Sequence, residues 1–218
     1  MKKIMKYILT LLCSCSDYLD IVPDNVTTLD IVFNNRNTAE RYLANCYHFV
    51  PDHGSVKRIP GMGAGHECWF YTTNDSHFDN EVSFYIARGL QNIDAPYANY
   101  WDGEGGSNLP MFRAIRECNI FLDYVRDQHK VNDLTDSERK RWIAEVNVLK
   151  AYYHFFLFEH YGPIPIVDKA LPVSTDPEGV KVTRMPVDQI VDYMVKLIDD
   201  SYKDLPPVIT MEATEMGR

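Results

Sequence analysis

Between residues 66 and 104 the chain gathers Trp69, Tyr71, Asn74, Asp75, Asp79 and Asn80, then Tyr97, Tyr100 and Trp101. Aromatic rings offer flat faces to C–H surfaces, while planar amides and carboxylates suit hydroxyl groups. A ligand with both kinds of surface is the natural match. The surrounding excursion, residues 51–109, shows no strong period, is punctuated by glycine, and is too rich in aromatics for a disordered segment. It is therefore the expected binding surface, with Trp69, Tyr71, Asn74, Asp75, Tyr97 and Tyr100 as ligand-binding candidates. Covering a helical core is the competing role for each aromatic, and Trp101, just before the next helix, is expected to pack.

Catalysis and metal binding are weaker readings of the same stretch. A glycoside hydrolase needs two opposed carboxylates at a defined separation, which Glu67, Asp75, Asp79, Glu81, Asp102 and Glu104 could supply only by three-dimensional placement. In a chain with 31 acidic and 22 basic residues, loop carboxylates are first of all solvated surface. His66-Glu67-Cys68 and His77-x-Asp79 match neither HExxH nor CxxC, and His154 and His160 lie six apart rather than four. No catalytic residue, metal or cofactor is expected.

Four helices must position this surface. Asn37 or Thr38 is placed to cap the first, whose stripe is Ala39, Tyr42, Leu43, Cys46 and Tyr47 before a stop at Pro51. The second opens at Pro110 and spaces Phe112, Ile115, Cys118, Leu122 and Val125 along one face. Asn119 beside that stripe is expected to be a satisfied core residue. The third carries the clearest signals: Thr135 and Glu138 form a capping-box pattern, Trp142, Val146, Leu149, Tyr153 and Phe156 recur at helical spacing, and Gly162-Pro163 end the helix at Tyr161. Its first turns, through Arg139, Lys140 and Arg141, read as solvated, and its second half, Ala151 to Phe158, is apolar on nearly every side. That stretch is too short for the ~20 residues of a bilayer span, so it reads as the centre of a packed helical core. The fourth helix begins at Pro186, with Val187, Ile190, Met194, Leu197 and Ile198 on one face, and stops at Pro206-Pro207. The proline-rich connection before it suggests extended pieces near Ile164–Val167 and Val180–Thr183.

The ends bear on destination. Lys2, Lys3 and Lys6 precede a short apolar run, and Leu12-Cys13-Ser14-Cys15 resembles a bacterial lipoprotein cleavage site. Residues 1–14 read as a signal peptide and Cys15 as the lipid-bearing residue, since small Ser14 precedes it whereas bulky Leu12 precedes Cys13. Acyl chains there would hold the protein to a membrane surface. A net charge of −9, more negative once the lysine-bearing leader is removed, makes nucleic acid an unlikely partner. Cys46 and Cys118 sit beside apolar helix positions and read as core residues. The last eleven residues stop without another packing element.

Taken together, four blocks resemble the N-terminal part of the SusD/RagB family of outer-membrane lipoproteins: CSDYLDIVP at 15–23, FRAIRECNIFLDYV at 112–125, AEVNVLKAYYHFFLFEHYGPIPIV at 144–167 and MPVDQIVDYMVKLIDDSYKDLPP at 185–207. The resemblance implies a mainly α fold of tetratricopeptide-like helix pairs with long irregular loops over residues 15–218, although no 34-residue period is visible. It implies a cell-surface protein, lipid-anchored to the outer membrane, that captures glycans, or peptides in some members, and delivers them to a TonB-dependent SusC-like transporter. Ser16-Asp17 after Cys15 resembles the surface-export signals of such lipoproteins. Family members are longer, and EMGR at 215–218 resembles the start of another helix, so the chain is expected to cover about their first half. A scaffold that only docks the transporter is the second reading, and a glycan-active enzyme the third.

Overall fold

The computed structural model describes residues 28–54, 60–65, 82–94, 96–103, 109–171 and 181–207. The leader, Cys15 and the segment holding Trp69, Tyr71, Asn74 and Asp75 lie outside them. Seven helices occur among the described residues: α1 Leu29–Val32, α2 Arg36–Tyr47, α3 Pro60–Gly63, α4 Val82–Ala87, α5 Met111–Arg126, α6 Asp136–Tyr161 and α7 Val187–Asp199, followed by a 3-10 turn at Tyr202–Asp204. No strand is present among these residues.

All four long helices stand where the hydrophobic spacing places them. Helix α2 starts slightly earlier than expected because its cap is Asn35, whose side chain accepts from the Thr38 N–H, rather than Asn37 or Thr38. The Thr38 hydroxyl instead donates back to Val32 and Asn35 carbonyls. At α6 the capping box is complete, Thr135 accepting the Glu138 N–H while Glu138 accepts from the Thr135 N–H. Gly162, at φ +68°, ends the helix after Tyr161. The expected stripe of Trp142, Val146, Leu149, Tyr153 and Phe156 is buried throughout.

Packing is most extensive between α5 and α6, then between α6 and α7, with α2 laid against both α5 and α6. The sequence-based pairing of first with second and third with fourth therefore holds, but α6 is central to both pairs. Aromatic rings weld the α2 side: Phe33 stacks on Tyr124 at 4.5 Å and meets Phe121 edge-on at 6.0 Å. Cys46 and Cys118 are buried free thiols in the same layer, as expected of core residues.

Two differences from the sequence reading have clear causes. Arg139 is buried rather than solvated, and its guanidinium donates to the carbonyls of Val125, Asp127, Lys130 and Val131 at 2.6 to 3.2 Å. Those carbonyls lie at the end of α5 and in the following turn; Asp127 O and Val131 O also accept the Lys130 and Leu134 N–H groups, so Val125 O and Lys130 O depend most on the guanidinium. Val131 itself sits at φ +49°, unusual for a β-branched residue, and is held there by its N–H to Phe33 O and its carbonyl to Arg139. On the opposite side, α7 buries only Ile190 and Met194, while Val187, Val191, Val195 and Ile198 stay exposed alongside Phe155 of α6. The apolar second half of α6 is thus enclosed on most but not all sides. Among the described residues no helix is long and apolar enough to cross a membrane.

Replacing Arg139 removes a donor from four carbonyls, of which Asp127 O and Val131 O keep a backbone N–H. Arg139→Ala is expected to lower stability by roughly 2–4 kcal/mol in urea unfolding, whereas Lys140→Ala on the solvated face should change it by less than about 0.5 kcal/mol.

Candidate functional site

The backbone leading into α5 is fixed by what α5 lacks. Pro110 occupies the N-cap position and offers no side-chain acceptor, so the carbonyls of Tyr100 and Trp101 accept the Met111 and Phe112 N–H groups instead. Tyr161, the last residue of α6, secures the same turn: its hydroxyl accepts the Tyr100 N–H at 2.8 Å and reaches Ala98 O at 3.4 Å. Gly103 completes the turn at φ +81°, where a Cβ would sit 2.8 Å from Pro110. Consecutive side chains then diverge. Tyr100 enters the core, while Trp101 stays at its edge.

Tyr100 is fully buried, edge-on to Phe156 at 5.0 Å and to His160 at 4.7 Å, and burial pushes its hydroxyl pKa up. It offers no ring face to a ligand, which corrects the sequence-based assignment: its place is set by the α5 cap. Tyr97 is half-buried and stacked on Tyr85 of α4 at 4.1 Å, with its backbone N–H held by Gln91. The described structure thus separates these two tyrosines. Trp101 does pack, as expected, against Phe112 at 4.6 Å and Tyr161 at 5.5 Å, yet it also lines an open groove.

That groove, about 360 Å³, lies between Trp101, Phe112 and Arg116 on one side and Pro165, Val167, Lys169, Leu171 and Val182 on the other. Its second wall is a strap, residues 164–171, that follows α6 without joining a β-ladder. A strap with prolines at 163 and 165 joins no ladder, and one backbone N–H and three side chains take its carbonyls instead. The Met185 N–H donates to Ile164 O at 2.9 Å, Asn119 Nδ2 to Val167 O at 3.0 Å, Lys150 Nζ to Asp168 O at 3.1 Å and Arg116 Nη1 to Leu171 O. Asn119 is the core residue expected, but only half satisfied: Nδ2 is held by the strap, while Oδ1 is buried without a hydrogen-bond partner.

Beneath the strap, Lys150 is almost fully buried and pairs with Asp168 Oδ1 at 2.7 Å, which also accepts the Tyr193 hydroxyl at 2.8 Å. Burial lowers the Lys150 pKa despite that pairing. Burial would raise the Asp168 pKa, but hydrogen bonds from Lys150 and Tyr193 leave it below the usual carboxylate range. His154, one turn along, uses Nδ1 on Lys150 O at 2.7 Å, and burial pushes its pKa down to about 4. At the groove mouth the Arg184 guanidinium lies 5.2 Å from the Trp101 ring centre and donates to Pro163 O at 2.7 Å. Arg116, Lys169 and Arg184 were not among the sequence candidates: 116, 169 and 184 share no motif, and only the fold of the strap onto α5 unites them.

The profile of a SusD-like family described as "Starch-binding associating with outer membrane" matches residues 17–214. This chain belongs to the SusD-like family. Solved structures of similar fold include a "Laminarin binding SusD-like protein" (17% identity, TM-score 0.62), a SusD-like carbohydrate binding protein from Bacteroides fragilis NCTC 9343 (22%, 0.59) and another from Bacteroides vulgatus ATCC 8482 (15%, 0.54). The matches cover 85%, 86% and 83% of this chain but 37%, 35% and 38% of those chains, less than the half expected from sequence. No curated protein matches it.

Neutral, buried His154 makes stability pH-dependent. Below about pH 6.5 the unfolded chain takes up a proton that the folded chain refuses until about pH 4, so the His154 contribution to stability falls through that window and is level above it. The loss reaches on the order of 3 kcal/mol at pH 4. Thermal unfolding from pH 4 to 8 should show this slope, and His154→Gln should flatten it.

Proposed function

We propose that this protein is a cell-surface binding protein that captures glycan and delivers it to a SusC-like TonB-dependent transporter. The observation that carries the reading is an aromatic groove on a SusD-like fold: Trp101 and Phe112 present ring surface beside the polar atoms of Arg116, Lys169 and the strap. Ring faces take the C–H side of a pyranose and charged side chains take its hydroxyls, with no chemistry required of either. The role is binding rather than catalysis, as in the structural relatives described as laminarin-binding and carbohydrate-binding.

In this reading residues 1–14 are removed, Cys15 carries the acyl chains, and the protein faces outward from the bacterial outer membrane. The domain from 15 to 218 is SusD-like, and Trp69, Tyr71, Asn74, Asp75 and Tyr97 extend the ligand surface from the glycine-rich excursion.

Titration calorimetry against a panel of oligosaccharides tests this directly. Trp101→Ala should weaken saccharide binding about tenfold while a thermal melt shows the fold retained, since one lost ring contact is worth roughly 0.5–1.5 kcal/mol beyond its buried area. Saccharide affinity unchanged in both Trp101→Ala and Trp69→Ala would remove the aromatic surface from the account. Growth in the presence of labelled palmitate should label the wild type and not Cys15→Ala.

A further inference from the structure

The groove's charge runs against that of the chain. In a protein with an excess of acidic residues, the groove is lined by Arg116 and Lys169 and flanked by Arg184, with no carboxylate among the described residues that line it. Asp168, next to Lys169 in sequence, is held by Lys150 and Tyr193.

The three cations come from three separate elements: Arg116 from α5, Lys169 from the strap and Arg184 from the segment before α7. Arg116 and Arg184 are also positioned, one by Leu171 O and the other by Pro163 O and the Trp101 ring. A guanidinium fixed by one of its N–H groups keeps a planar fork for an oxyanion, and a pre-positioned side chain loses less entropy on binding. Around them the lining is apolar: Trp101, Phe112, Pro165, Val167, Leu171 and Val182.

We propose that this groove selects an anionic saccharide, one whose ring rests on the Trp101–Phe112 side while its carboxylate or sulfate ester meets Arg116, Lys169 and Arg184. The inference rests on the glycan-binding reading above and names the ligand class for the same groove. A neutral glucan offers these three cations no charge, whereas uronate and sulfate groups each supply one. Cation–anion contacts at an open groove are also screened by salt, so the preference must weaken as ionic strength rises.

The test uses the purified full chain and three probes: an oligogalacturonide, a sulfated galactan oligosaccharide and a neutral laminari-oligosaccharide. Calorimetry is run at low and high salt. At least one acidic probe should bind at least about tenfold more tightly than the neutral one at low salt, with the gap narrowing in high salt. The comparison between oligogalacturonide and sulfated galactan identifies the anionic group. Lys169→Gln, at an exposed position, should reduce acidic-probe affinity about threefold to tenfold, and Arg184→Gln should act in the same direction. Neutral-probe binding that equals or exceeds acidic binding, or acidic binding indifferent to salt and to both variants, overturns the charge preference while leaving glycan binding standing. Absence of binding to all three probes overturns both readings.

Discussion

Burial of α6 is the constraint on which the rest of the structure depends. Twelve of its 26 residues are buried, and they include Arg139, Asn147, Lys150 and His154 as well as the aromatic stripe. A helix covered on so many sides needs other elements packed around it and a partner for each polar group it brings inside. Both requirements shape the neighbouring chain, although Trp142 Nε1 and His154 Nε2 stay buried without a hydrogen-bond partner. Arg139 near the start of α6 takes carbonyls at the end of α5 and in the turn after it, Asn147 reaches Ser201 beyond α7, and Lys150 takes Asp168 of the strap.

The groove is a consequence of these obligations. Without a side-chain cap at Pro110, α5 draws the carbonyls of Tyr100 and Trp101 onto its first turn, and Tyr161 locks that turn to the end of α6. The strap, lacking a sheet partner, is held down by Asn119, Lys150 and Arg116. Trp101 and the strap therefore face each other across a gap whose walls are held by these hydrogen bonds. A binding surface positioned by such anchors is more rigid than a free loop, and that rigidity reduces the entropy lost on binding.

The helical part of this architecture was largely legible. Capping box, stripe and stop of α6 were each a local signal, written within one or two turns, and each stands where it was read. Polar anchors were not legible for the opposite reason. Lys150 and Arg139 are ordinary helix-surface types by composition, and their partners lie in a turn and a strap with no periodicity to betray them. Tyr100 shows the same limit from the other side: its neighbourhood marks it as a ligand residue, but the α5 cap turns its ring inward. The start of α2 is ambiguous in the sequence because Asn35, Asn37 and Thr38 are all good caps, and only the structure distinguishes Asn35, which caps the helix, from Thr38, which bonds to Val32.

A crystal structure of the protein soaked with an oligosaccharide from the panel that binds in solution is the most direct test of the central claim, that the Trp101 groove is where ligand sits. The account predicts a sugar ring against Trp101 and Phe112, with polar contacts to Arg116 or Lys169 and little movement of the strap. An ordered sugar bound elsewhere on the molecule, with the groove empty, would contradict it.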